Sequence, residues 1–252
     1  MREAVGVLTA NFLNKAIKES RNTCIGVDCD PDIAGRYLCD EFYTVPKVSE
    51  CDDYEKYMLD FVSDHKVDVV IPTLDDCMSL WSKNSESLRE KGIYAVISPE
   101  STVDIFNDKW KAYEFFSKHG IPTPKTSLEQ EYGLVKPREG RGSKGIVRSA
   151  RKVDMTGCIS QEVVSGTEYT IDVLCDYFSK PIYIVPRIRL GVRNGKSTGG
   201  VVVQNEEICK WIHYLCERIT FRGPINVQCF IKENGDISFI EVNTRLGGGG
   251  RL

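Results

Sequence analysis

Short β-branched and apolar runs alternate with helical patterns through the first hundred residues. T-C-I-G-V-D-C (23–29), V-D-V-V-I-P (67–72) and G-I-Y-A-V-I-S (92–98) read as strands. Between them, apolar positions recur at helical spacing over 5–20, 54–65 and 77–91. Strand–helix–strand alternation predicts a parallel sheet with helices on its faces, and such sheets bind ligands at the carboxyl ends of their strands. The pattern changes after residue 101. Asn107 and Asp108 open a helix carrying Trp110, Tyr113, Phe115 and Phe116, which stops at Gly120 before the extended G-I-P-T-P. Strands then dominate, at 132–137, 168–174, 182–186, 225–231 and 237–242. One amphipathic helix, 206–220, interrupts them with Ile208, Trp211, Ile212, Leu215 and Ile219 on one face. The second region is therefore α+β with antiparallel pairing.

Composition mainly excludes. The 252 residues are 41% hydrophobic and 27% charged, an ordinary globular balance. Thirty-three Lys and Arg against thirty-six Asp and Glu leave a net charge of −3, which argues against nucleic-acid binding by bulk charge. No apolar run reaches the roughly 18 residues that span a membrane, and no export signal opens the chain. Ten cysteines without a C-x-x-C read as reduced thiols of a cytoplasmic protein. His65, His119 and His213 fall in or beside helical patterns and read as structural.

Three segments carry candidate chemistry. The first is V-K-P-R-E-G-R-G-S-K-G-I (135–146), where a strand delivers Lys136 into a loop with Gly140, Gly142 and Gly145. Glycines let backbone N–H groups converge on an anion, with Ser143 and Lys144 adding a hydroxyl and a charge. A basic surface hairpin fits the same letters. The second is I-N-V-Q-C-F-I-K-E-N-G-D-I-S-F-I-E-V-N-T-R (225–245). Asn234-Gly235 predicts a two-residue hairpin turn that pairs Glu233 with Asp236. Gln228 then lies opposite Glu241, and Asn243 shares their face. A carboxylate and two amides suit a Mg²⁺ that keeps waters and takes phosphate oxygens, and Arg245 follows two residues on. The third is I-S-Q-E-V-V-S-G-T-E-Y-T-I-D-V-L (159–174), an extended edge fit for a purine, with a carboxylate shortly after.

In this order the three segments resemble the ATP-grasp superfamily, and within it single-copy relatives of the carbamoyl-phosphate synthetase large chain. The resemblance covers essentially the whole chain. It implies a parallel-sheet, Rossmann-like pre-ATP-grasp domain over 1–100, α/β in class, from I-G-V-D-C-D-P through V-I-P-T-L-D-D. An α+β ATP-grasp domain over 101–252 would follow, with a small nucleotide-clamping subdomain at 101–165 and a metal and substrate subdomain at 166–252. N-D-K-W-K-A-Y-E-F-F-S-K-H-G-I-P-T-P resembles the family's lead-in helix. Residue by residue, the resemblance implies that Lys109 and Lys136 contact ATP phosphates and that Ser143, Lys144 and Gly145 close over them. Glu162 and Val164 would bond adenine through their backbone, and Glu168 would hold the ribose. Gln228, Glu241 and Asn243 would bind Mg²⁺, or Mn²⁺ in its place, with Glu241 bridging. Arg245 would stabilise the transferred phosphoryl group, and Arg187, Arg189 and Lys196 would meet substrate or phosphate. The chain departs from the family at Thr244, where Pro is usual. It also shows too few residues before its first helix for the usual opening strand, and it ends right after 247–250, so a truncated domain is expected.

The activity so implied is carboxylate–amine ligation. ATP phosphorylates a small-molecule carboxylate, an amine displaces phosphate, and ADP is released. Bicarbonate phosphorylation of the carbamoyl-phosphate type and a regulatory ATP-binding module without turnover stay open as alternatives. The expected partners are small molecules, with no nucleic acid or membrane, and a homodimer is allowed. The glycine-rich loop is expected to be loose without nucleotide and to close on it.

Overall fold

The computed structural model describes residues 2–6, 10–140, 145–148, 151–191 and 199–247, with residues 2–6 and 10–12 described by their backbone. The chain divides into two compact units, Met1–Glu100 with Arg245–Leu252, and Ser101–Thr244. Among the described residues no helix is long and apolar enough to cross a membrane.

The first unit runs β1 (Arg2–Gly6), α1 (Ala10–Glu19), β2 (Thr23–Asp28), β3 (Glu41–Thr44), α2 (Tyr54–Asp64), β4 (Val69–Ile71), α3 (Met78–Lys83), α4 (Ser85–Glu90) and β5 (Tyr94–Ala95). Its strands form one parallel sheet in the order β3-β2-β1-β4-β5. The chain winds outward from β1 in both directions, the doubly wound arrangement. Ile25 and Val70 on the strands are buried with Val62 and Met78 from the helices. Two expectations are corrected here. The opening strand is not missing. Arg2–Gly6, assigned in part to a helix by its pattern, pairs with both β2 and β4 at the sheet centre. Five residues fit either period, and pairing on two sides decides for the strand. The single helix expected over 77–91 is two helices. Asn84 breaks it, donating from its side-chain amide to the Leu80 carbonyl at 2.9 Å and to Glu55 at 3.0 Å.

The second unit begins with α5 (Glu100–Asn107) and α6 (Lys109–Lys118). A small antiparallel sheet, β6-β9-β7-β8, is built from β6 (Thr126–Ser127), β7 (Leu134–Pro137), β8 (Val147–Arg148) and β9 (Cys158–Gln161). The larger antiparallel sheet, β12-β11-β10-β13-β14, is built from β10 (Thr167–Cys175), β11 (Pro181–Leu190), β12 (Gly199–Val202), β13 (Gly223–Ile231) and β14 (Ile237–Asn243), with α7 (Glu206–Arg218) between β12 and β13. Alternation sorts the larger sheet's side chains. Ile171, Val173, Ile225, Val227 and Val242 point to the face covered by Phe116 of α6 and by Ile208, Ile212 and Leu215 of α7. The polar residues between them share the other face. Helix starts are capped as the sequence invites. Asp108 accepts from Trp110 N–H and Asn205 from Ile208 N–H.

Gly166 begins this unit's main sheet with a φ of +148°, and a Cβ there would lie 2.2 Å from the Ile231 carbonyl oxygen, so only glycine fits. The β13–β14 hairpin corrects the expected turn. Lys232, not Glu233, pairs with Asp236, and Gly235 at φ +89° closes a three-residue loop. That shifts the register by one over Cys229–Ile231. A bulge at Ile240 shifts it back, and Gln228 meets Glu241 as expected.

Candidate functional site

One rung of the larger sheet carries three of the candidates, Arg187, Gln228 and Glu241. Arg187 on β11 pairs with Thr170 on β10, Thr170 with Gln228 on β13, and Gln228 with Glu241 on β14. Directly paired residues present their side chains to the same face, so a cation, a hydroxyl, an amide and a carboxylate lie in line. The neighbouring rung pairs Asp172, Asn226 and Asn243. Gln228, Glu241 and Asn243 are thus brought together. Among the described residues no three His, Cys, Asp or Glu side chains gather into a metal cage. This donor set has one carboxylate and two amides. It suits a cation that takes its remaining ligands from water and phosphate, not a metal caged by protein alone.

Lys136 comes to this unit from β7 of the small sheet. Its side chain is largely buried, with the residue 8% exposed. Burial pushes its pKa down to about 8, with Glu241 pulling it back up and Lys109 adding to the fall. Desolvating a cation is costly, and an anion beside Lys109 and Lys136 would relieve it. Lys109, the first residue of α6, turns its ammonium onto the carbonyls of Gly140 at 2.9 Å and Arg138 at 3.4 Å. Arg138 is itself held by Asp108. Burial pushes the Asp108 carboxyl up, but Arg138 and the N–H groups of Trp110 and Lys111 outweigh it and hold the group below the usual range. Gly145 sits at φ +73°, where a Cβ would press on the Pro137 ring at 2.8 Å. Ser143 and Lys144 of the loop, and Lys196, lie outside the described residues.

The other candidates are placed as follows. Glu162 leads out of β9 with its N–H on the Lys125 carbonyl at 2.8 Å, and Val164 follows in the unpaired connector to β10. Glu168 is ion-paired to Arg189 across the β10–β11 ladder. Arg187, 3% exposed, donates from Nε to Asp172 Oδ2 at 2.7 Å, with Nη2 at 2.5 Å from the same oxygen. Arg245 groups with the first unit, where its Nε and Nη2 donate to the two Asp75 oxygens at 2.5 and 2.7 Å. Thr244 is buried, and its hydroxyl has no hydrogen-bond partner among the described residues.

Sequence reasoning missed Thr170, Asp172 and Asn226. Asn226 donates from its amide to Thr170 Oγ1 at 2.8 Å and to Asp172 Oδ1 at 2.7 Å. The signal was polar residues alternating with Ile171, Val173, Ile225 and Val227 on two strands that had to be paired before it could be seen. A separate cleft of about 510 Å³, lined by Phe178, Lys180, His213 and Arg218 among others, contains none of the candidates.

An ATP-grasp domain model matches residues 106–249, and a PylC-like N-terminal domain model matches residues 6–97. No curated protein matches the chain in sequence. Solved structures do match in fold. The biotin carboxylase domain of Hydrogenobacter thermophilus 2-oxoglutarate carboxylase, determined with MgADP, ADP and bicarbonate, is 16% identical with a TM-score of 0.75, over 98% of this chain and 64% of that one. N5-carboxyaminoimidazole synthetase from Staphylococcus aureus is 15% identical with a TM-score of 0.74, over 99% of this chain and 71% of that one. L-amino acid ligase from Bacillus licheniformis is 16% identical with a TM-score of 0.75, over 99% of this chain and 68% of that one. The chain thus spans about two thirds of the length of these neighbours. With a family model matching 144 of its 252 residues (106 to 249), more than half, the chain belongs to the ATP-grasp family.

Proposed function

We propose that the chain is an ATP-dependent carboxylate–amine ligase that phosphorylates a small carboxylate and releases ADP and phosphate. The observation that carries this is the largely buried Lys136, whose charge is felt by Glu241, with Gln228 and Asn243 on Glu241's face. Lys136 and Lys109 bind the nucleotide phosphates. Lys109 leaves the Arg138 and Gly140 carbonyls to do so. Ser143, Lys144 and Gly145 close over the nucleotide. Glu162 and Val164 present backbone groups to the adenine, and Glu168, shared with Arg189, takes the ribose. Gln228, Glu241 and Asn243 would hold magnesium, which when bound neutralises charge on the phosphate oxygens. Arg187 meets the substrate's negative charge. Catalysis is positioning and charge neutralisation, and the chain need supply no nucleophile.

The test is an ADP-release screen with MgATP, offering each amino acid as acid and as amine partner. Bicarbonate joins the acids because the solved biotin carboxylase domain holds that anion. ADP release that needs one acid and one amine together supports the reading. Release with bicarbonate alone favours the carboxylase branch, and no release with any pair contradicts ligation.

A further inference from the structure

On the rung that ends in Glu241, Thr170 occupies the middle of the sheet, one strand from Gln228 and one from Arg187. With strands about 4.8 Å apart, its Cα lies about 10 Å across the sheet from that of Glu241. The residue is 6% exposed. Its oxygen accepts the Asn226 amide at 2.8 Å, and that amide is pinned by its second bond, to Asp172 Oδ1 at 2.7 Å. Asp172 is in turn fixed by Arg187. The acceptor side of the hydroxyl is therefore occupied, and among the described residues its O–H proton meets no acceptor. A buried donor held in this way takes an acceptor from outside the protein, a water in the empty site that a ligand oxygen can replace. No role in holding nucleotide or metal has been assigned to this residue, and its place between the metal-side amide and Arg187 is where a group receiving phosphate at the Glu241 end would lie.

We infer that Thr170 is a substrate-binding residue, donating its hydroxyl to the carboxylate that receives the phosphoryl group, with Asn226 and Asp172 as positioning residues that turn the proton outward and hold Arg187 beside it. This rests on the ligase reading. It narrows the acceptor to a compact carboxylate reached by one hydroxyl and one guanidinium. A substrate lacking an anionic oxygen there would leave the Thr170 donor without its acceptor, a mismatch that binding sites reject strongly.

The test runs phosphoryl transfer backward with the smallest acyl phosphate. Acetyl phosphate and MgADP should give ATP and acetate. The bond between phosphorus and the acyl oxygen breaks, a bond from phosphorus to the ADP β-phosphate oxygen forms, and acetate leaves with the electron pair. ATP is read by luciferase, and MgADP affinity is read separately by calorimetry on the same preparations. Thr170→Val, isosteric but without the donor, should make ATP at least about tenfold more slowly through a raised KM for acetyl phosphate, with MgADP affinity unchanged. Thr170→Ser keeps the hydroxyl and should restore most of the rate. Wild type that fails to bind MgADP sinks the ligase reading itself. Wild type that binds MgADP but makes no ATP, or Thr170→Val that makes it at the wild-type rate, overturns the assignment of Thr170 alone.

Discussion

Two residues decide whether this sheet face handles phosphate. Glu241 is the only carboxylate of the donor set with Gln228 and Asn243. Glu241→Gln keeps the size and the strand, so the fold should persist while ADP release falls about 10²-fold or more. Near-full turnover in that variant would mean that the cation is held elsewhere. Lys136 makes a subtler prediction, because its cost and its use are separable. Its pKa is depressed to about 8 in the fold. The unfolded chain holds the proton up to roughly 10.4, so between these values the unfolded state binds more protons and stability rises with pH. Below about pH 8 both states are charged and the burial penalty is fully present. Lys136→Met keeps the aliphatic stem and removes the charge. The empty protein should then melt at a higher temperature and lose that alkaline rise in stability, while its affinity for nucleotide falls. In wild type, nucleotide affinity should decline as pH passes through about 8, and in Lys136→Met it should not. A variant that melts lower and binds as before would show that Lys136 is a structural cation.

At the scale of elements, the site depends on where β10, β13 and β14 stop sliding. Gly166 sets the start of β10 against the last residues of β13, and a Cβ would meet Ile231 backbone at 2.2 Å. Gly166→Ala should cost about 3 kcal/mol in denaturant unfolding, the scale of overpacking added to backbone strain. Glycine at Gly92 also has a positive φ, of +81°, but a Cβ there meets nothing, so Gly92→Ala should cost less. An equal loss at both would remove the steric argument. The pairing of Gln228 with Glu241 was legible in the sequence through two departures that cancel. Asn234-Gly235 marked the hairpin correctly, but the loop has three residues, and the bulge at Ile240 restores the count. Neither is written in the alternation, since S-F-I-E-V reads as one smooth strand. The long apolar strands and α7 were legible because burial on one face imposes a period. β1 was not, because five residues ahead of a helix carry too few positions to choose a period, and the choice falls to pairing with β2 and β4. β12 was not, because all four of its residues are exposed at an edge and carry no inward signal. Asn84 was not, because its helix-breaking bonds reach Glu55 on another helix.

For the whole molecule, the function rests on a ligand that binds the folded chain and not the unfolded one. At a hundredfold excess over its Kd, such a ligand adds about 2.7 kcal/mol to stability. MgADP at that excess should therefore raise the unfolding free energy of wild type by that amount and leave Glu241→Gln less protected, and ADP with a chelator should protect neither fully. The proposed nucleotide contacts were named by likeness of motif, while the cluster of Thr170, Asp172 and Asn226 emerged only from strands distant in sequence brought side by side. The most direct test of the central claim is a calorimetric titration of MgADP at pH 7 into wild type and Lys136→Met. The prediction is saturable binding by wild type that weakens when magnesium is chelated and weakens at least about tenfold in the variant. Equal binding by both proteins, with and without magnesium, would contradict it.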